Sequence, residues 1–251
     1  MAEDDYVTPP QFDTYLEEDA GPNRRITVEY TTDQGTPVKH TRRRVTLVLF
    51  SGGIDSTYAL VKILKDCDDI VIAHHVHMMN RENRFEEEAI ACRNIVDYCK
   101  AHFRDFYFTE TTVDRRRFQS TGYDLVVASF EAGIVVQSFY ADTGMVIDRW
   151  VTGGNAEDCE IPEDGIDTME EKYHAMLLAM QACCHPLTPP YLFNLPLKPK
   201  AAFIDYLGKN LANLCWTCRT PVKHIGKPST ECGTCHTCIL MNDIRSNHQP
   251  S

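Results

Sequence analysis

The chain has 251 residues, with 25 Lys+Arg against 36 Asp+Glu, a formal charge of −11 and 43% hydrophobic residues. These proportions exclude collagen-like and largely disordered classes and allow a core that needs no disulfides. The acidic balance also argues against a protein that coats nucleic acid through its whole surface.

Seven of the eleven excess negative charges fall in residues 1–20, among which there is no basic residue. Residues 1–24 therefore read as an acidic, flexible arm. Residues 25–43 read as a β extension. Arg25 to Tyr30 alternates, Asp33 to Pro37 is turn-like, and the chain returns from Val38 as a second strand. Arg42-Arg43-Arg44 is assigned to a solvated face, as is Arg115-Arg116-Arg117 further on.

Val45 to Phe50 is a continuous apolar run, the pattern of a strand buried on both faces. Ser51-Gly52-Gly53 follows, and Asp55 to Lys65 reads as a helix. Ile70 to Ala73 is a second buried strand, with His74, His75 and His77 expected just beyond its carboxyl end. Glu82 to Phe103 is a long helix with acids in its first turns, which suit the macrodipole. Asp105 to Thr112 is a third strand, Tyr123 to Tyr140 a helix, Ile147 to Thr152 a fourth strand, and Asp167 to Cys183 another helix. Asn194 to Leu197 is short and extended. Pro199 opens a helix through Leu207 that Gly208 closes. Strands alternating with helices imply an α/β fold with a Rossmann-like, doubly wound parallel sheet.

No apolar stretch is expected to reach the roughly 18 residues of a membrane span, and the start lacks a basic and then apolar leader. The expectation is a cytoplasmic protein with reduced thiols and no membrane partner. Eleven cysteines then call for metal ligation or catalysis. Five crowd together as Cys215-Trp216-Thr217-Cys218, thirteen further residues, and Cys232-Gly233-Thr234-Cys235-His236-Thr237-Cys238. Two-residue gaps let a tight turn aim two thiolates at one ion, and four of the five satisfy tetrahedral zinc. A redox pair at Cys232/Cys235 or Cys235/Cys238 and an iron–sulfur cluster are the competing readings. Cys67, Cys92, Cys99 and Cys183 are expected in the core.

Phe50-Ser51-Gly52-Gly53-Ile54-Asp55-Ser56-Thr57 lies between a buried strand and a helix, where open α/β sheets bind ligands. Two glycines let the backbone approach an anion. Ser51, Ser56 and Thr57 offer hydroxyls, and the helix start adds N–H groups and a positive dipole end. Asp55 suits a Mg²⁺ that accompanies phosphates. Neither the dinucleotide fingerprint nor the Gly-Lys-Ser/Thr loop is present.

The string Ser-Gly-Gly-x-Asp-Ser resembles the pyrophosphate (PP) loop of the ATP pyrophosphatases. With the terminal cysteines, the chain resembles the 7-cyano-7-deazaguanine synthase family over roughly residues 44–242. That family's Trp-Ser-Cys-Tyr and Cys-Gly-x-Cys-x-x-Cys match Trp216-Thr217-Cys218-Arg219 and Cys232 to Cys238. The resemblance thus implies Cys218, Cys232, Cys235 and Cys238 as zinc ligands, with Cys215 an extra. Gly154-Asn155-Ala156-Glu157-Asp158 is similar to a family stretch, as is Pro196-Leu197 with Lys200.

The resemblance implies a nucleotide-alpha-hydrolase-like ATP-binding α/β domain over 44–210 and a Cys₄ zinc segment over 211–251. It implies a ligase that uses Mg²⁺ and ATP to adenylate 7-carboxy-7-deazaguanine, and ammonia to carry it through the amide to the nitrile. Ser51, Asp55, Ser56, Asp158 and Lys200 would be catalytic, and Phe50 to Thr57 with Asn155 would bind the nucleotide. The partners would be small molecules, with no nucleic acid as direct substrate and a homodimer compatible. A transfer-RNA thiolase using the same loop is the first alternative; a nucleotide-binding member with another substrate or no turnover is the second. Two family segments are absent. Leu125-Val126-Val127-Ala128-Ser129 stands near the expected Val-Pro-x-Arg-Asn, and Ile161-Pro162-Glu163-Asp164-Gly165 replaces Tyr-Pro-Asp-Cys-Arg.

Overall fold

The computed structural model describes residues 14–17, 25–31, 36–119, 123–155, 169–191 and 198–247. Asp158, the extended 194–197 segment and the 161–165 departure lie outside them.

Residues Thr14–Glu17 (β1), Arg25–Thr31 (β2) and Pro37–Arg43 (β3) form an antiparallel sheet of order β1-β2-β3. Residues 25–31 and 37–43 are thus strands, and part of the acidic arm is itself a paired strand. Glu17 lies opposite Ile26, so β1 gains backbone partners despite its acidic neighbours. The basic triplet is a second correction. Arg42 grips Asp148 through two bonds of 2.6 and 2.8 Å, and Arg44 is buried. Asp148 also accepts the Val45 N–H at 2.7 Å, so the extension is pinned where the main sheet begins.

Val45–Leu49 (β4), Ile70–Met79 (β5), Tyr107–Asp114 (β6) and Arg149–Thr152 (β7) form a parallel sheet of order β6-β5-β4-β7. The five residues of β4 are all buried because helices cover both faces. Val48 and Phe50 point toward Ile54–Asp66 (α1), Phe85–His102 (α2) and Lys200–Ala212 (α5). Val45, Leu47 and Leu49 point the other way, onto Asp124–Thr143 (α3) and Met169–Cys184 (α4). The order reverses beside β4, because β5 and β6 lie on one side of it and β7 on the other. The loop after β4 thus opens at the crevice where such sheets bind ligands.

Several boundaries differ from expectation. β5 extends through all three histidines, because β6 remains in register with it as far as Met79↔Asp114. Gly208 has φ +73 and interrupts α5, which then continues to Ala212 and buries Leu211 against the core. Helix α3 is long and apolar enough to cross a membrane by length and composition, contrary to the expectation that no stretch would be. It lies on the sheet and on α4 through Val127, Ala132 and Val136, with 28% of its most apolar window buried. Beyond α5 come a hairpin, Val222–His224 (β8) with Lys227–Thr230 (β9), and a last helix, His236–Asn247 (α6). Met241 on α6 joins the same core as α1 and α2.

Candidate functional site

The loop after β4 is assembled by its own hydroxyls. Ser51 Oγ and Ser56 Oγ are 3.1 Å apart, the Ser51 N–H donates to Ser56 Oγ at 3.2 Å, and Ser56 Oγ donates to Gly53 O at 3.2 Å. Gly52 takes a positive φ of +74. Gly53 is the N-cap of α1 and provides no side-chain cap, so the first N–H groups of that helix face the loop without one.

A second glycine fits this geometry for a different reason. A Cβ on Gly153, just past β7, would lie 2.3 Å from Ser56 N and 2.6 Å from Asp55 C. The exit of β7 therefore runs directly against the first turn of α1. This approach carries Asn155, a residue with no exposed surface, to Asp55, where its Nδ2 donates to Oδ2 at 2.9 Å. Lys200 arrives from a third direction. Tyr58 of α1 stacks on Phe203 of α5 at 4.0 Å, and this aligns the starts of the two helices. Lys200 Nζ then lies 3.5 Å from Asp55 Oδ2 and is buried. The structure thus brings Ser51, Asp55, Ser56, Asn155 and Lys200 together from three parts of the chain.

A cavity of about 250 Å³ lies over the loop. Phe50, Ser51, Gly53, Asp55 and Ser56 line it, together with His74, His75, Met78, Leu125 and Ala128. His75 Nδ1 donates to Phe50 O at 3.0 Å, and because a carbonyl only accepts, this bond selects the Nδ1–H tautomer. Burial lowers the pKa of both His74 and His75 to about 4, so both rings are neutral at pH 7. They are interior strand residues at the pocket wall rather than residues of a loop beyond the strand.

The cavity also has a charged wall that no sequence motif indicated. Arg84, Glu88, Asp124 and Arg219 line it. Arg84 is paired with Glu82 at 3.0 Å, with Glu88 at 3.1 Å, and with Asp124. Burial pushes the Glu88 carboxyl up to about 7, against the opposing pull of Arg84. Only the i,i+4 spacing of Arg84 and Glu88 was visible beforehand, and it is common on helix surfaces.

The cysteine expectation has a geometric counterpart. The Sγ atoms of Cys218, Cys232, Cys235 and Cys238 all lie within 4.8 Å of one another. Cys232 and Cys238 are 3.9 Å apart, close to the roughly 3.8 Å edge of a tetrahedron with 2.3 Å Zn–S bonds. A cubane cluster places each cysteine on a different iron, which spaces the sulfurs more widely. Hydrogen bonds from Thr220 Oγ1 and from the Thr234 and Cys235 N–H groups hold the Cys232 thiol down to about 5, whereas burial pushes the Cys218 and Cys238 thiols up. The spacing of the four sulfurs fits a single thiolate-bound ion.

Cys215 stands apart. It is buried, its Sγ donates to Thr57 Oγ1 at 3.5 Å, and burial raises its pKa to about 12. Cys92 and Cys99 are buried in the core as expected, whereas Cys67 and Cys183 are half-buried. The two motifs meet through the backbone, where the Trp216 N–H donates to Gly52 O at 2.9 Å. Lys223 adds bonds of 2.7 and 2.9 Å to Glu87 at the start of α2.

No family model and no curated protein matches this chain. Among solved structures it is similar to the U34-tRNA thiolase NcsA from Methanococcus maripaludis with its 4Fe-4S cluster. The identity is 14% and the TM-score 0.34, over 82% of this chain and 67% of that one.

Proposed function

We propose that this protein is an ATP pyrophosphatase-type enzyme that adenylates a carboxylate oxygen, and that its substrate is 7-carboxy-7-deazaguanine. The observation that carries the reading is the Ser51–Ser56 loop at the head of α1, with Asp55 held by Asn155 and Lys200 at the switch point of a parallel sheet.

The loop hydroxyls and the N–H groups of α1 bind the β- and γ-phosphates, where negative charge grows as pyrophosphate departs. The substrate carboxylate attacks the α-phosphorus, the bond to the bridging oxygen breaks, and an acyl adenylate and pyrophosphate result. Ammonia then displaces AMP and releases a proton, giving the amide. A second ATP adenylates the amide oxygen with release of pyrophosphate and a proton, and loss of AMP and a second proton leaves the nitrile. Asp55 would hold Mg²⁺, which would neutralise phosphate charge when bound. Lys200 keeps Asp55 oriented and adds positive charge beneath the loop. Cys218, Cys232, Cys235 and Cys238 would hold a zinc ion, whose role would be structural, tying the C-terminal segment to the loop through the Trp216–Gly52 bond.

The spacing of the four sulfurs supports this chemistry over sulfur transfer, since Cys232 and Cys238 lie 3.9 Å apart, near the edge of a tetrahedral zinc site.

Incubation with 7-carboxy-7-deazaguanine, ammonium and Mg-ATP tests the reading. Mass spectrometry is expected to find the nitrile and AMP, with about one zinc per chain. ATP consumption only with a different carboxylate would keep the reaction and replace the substrate. Iron with labile sulfide, together with transfer of sulfur to transfer RNA, would replace the reading with the thiolase.

A further inference from the structure

We infer that Arg219 is a phosphate-binding residue, carried into the cavity by the cysteine segment to meet the nucleotide's departing pyrophosphate. The inference rests on the nucleotide reading above and adds a residue to it. Where the resembled family has Tyr after its first cysteine ligand, this chain has Arg219 after Cys218.

Three observations carry it. First, Arg219 lines the same cavity as Ser51, Gly53 and Ser56. Its backbone is anchored close by: the Trp216 N–H is bonded to Gly52 O at 2.9 Å, and Trp216 O lies 3.6 Å from where a Cβ on Gly53 would sit. Second, the two arginines of the charged wall differ in state. Arg84 has a side chain only 12% exposed and is enclosed by Glu82, Glu88 and Asp124. Arg219 is 51% exposed, and its ion pair with Glu82 is 3.6 Å long, beyond hydrogen-bond range. Third, Glu82 is shared, lying 3.0 Å from Arg84 through Oε2 and 3.6 Å from Arg219 through Oε1.

The plain alternative is a solvated arginine paired with a surface carboxylate. Such an exposed pair contributes little and does not hold a flexible guanidinium against a polyanion. A forked guanidinium facing a polyphosphate makes two parallel charge-assisted bonds, which a single long contact with Glu82 cannot match. Glu82 then acts as the competitor that Arg219 leaves when phosphate arrives, and Arg84 keeps Glu82 neutralised.

Calorimetric titration of the zinc-loaded full chain with Mg-pyrophosphate, Mg-ATP and AMP tests this. Arg219→Ala is expected to weaken pyrophosphate and ATP binding by about ten-fold or more, the scale of a lost charged hydrogen bond, and to leave AMP within about two-fold. Arg219→Lys should fall between, because it keeps the charge and loses the fork. Glu82→Gln should tighten pyrophosphate binding. Pyrophosphate affinity equal to wild type in Arg219→Ala, or AMP weakened as much as ATP, overturns the inference and leaves the nucleotide reading standing. A folded wild type that binds neither ATP nor pyrophosphate overturns both. Should Arg219→Ala lose its metal, Glu82→Gln decides alone, and unchanged or weaker pyrophosphate binding in it refutes the role.

Discussion

Gly153→Ala is the sharpest test of how the site is assembled. The added Cβ would sit 2.3 Å from Ser56 N, 2.6 Å from Asp55 C and 2.7 Å from Ser56 Cα. All three are backbone atoms of the first turn of α1, so no flexible side chain can swing aside. Ordinary contact begins near 3.4 Å, and the strand exit and helix start must separate by about 1 Å. Overpacking of this kind costs about 1–3 kcal/mol. In a chain of this size it lowers the melting temperature by roughly 2–12 °C. The functional effect should be larger, since a displacement of about 1 Å at reacting groups costs on the order of 100-fold in rate. Gly144→Ala is the control. It has open space around it and a positive φ of +69 at the C-cap of α3, so it loses about 1–2 kcal/mol through backbone strain without touching the loop. Melting temperature and ATP–pyrophosphate exchange with the carboxylate substrate separate the two. Both variants should melt early, and only Gly153→Ala should lose exchange. Wild-type exchange in Gly153→Ala would refute the close approach of β7 to α1.

Arg149→Met should cost about 3–5 kcal/mol, because Arg149 Nη2 reaches Asp69 Oδ2 at 2.6 Å and Asp69 has no exposed surface. A urea midpoint that shifts by less than about 1 kcal/mol equivalent would show that this buried ion is compensated by other groups. Cys235→Ser should lose zinc by elemental analysis, whereas Cys215→Ala should keep it, because Cys215 is bonded to Thr57 away from the group of four. Zinc loss in Cys215→Ala would reassign the ligand set. Burial raises Glu88 from 4.5 to about 7, so the folded state keeps a proton that the unfolded state has lost between those values. Glu88 thus withdraws stability as pH rises through that window, by up to about 3 kcal/mol. His74 and His75, lowered from 6.5 to about 4, act in the opposite sense and lose stability as pH falls through their window. The wild-type minus Glu88→Gln difference in melting temperature isolates the carboxyl. A difference independent of pH from 4.5 to 7 would contradict its placement.

Local chemistry made much of this protein legible before any fold was known. The apolar run Val45 to Phe50 followed by Ser-Gly-Gly-x-Asp-Ser marks a buried strand, a tight turn and a helix start, and all three are features of neighbouring residues. The cysteine spacing likewise confines two sulfurs to one turn, although the choice of Cys218 over Cys215 required a family landmark. What the chain could not state in one dimension was which distant residues share the cavity. Lys200 meets Asp55 because Tyr58 stacks on Phe203, and Asn155 meets it because Gly153 lacks a Cβ. His74 and His75 looked like loop residues, but pairing with β6 continued the strand through them, since register is decided by the partner strand. The wall of Arg84, Glu88, Asp124 and Arg219 gathers from the starts of α2 and α3 and from the cysteine segment. No local pattern distinguishes such charges from those of any solvated helix face. Burial and proximity, which only tertiary packing creates, turn them into part of a site.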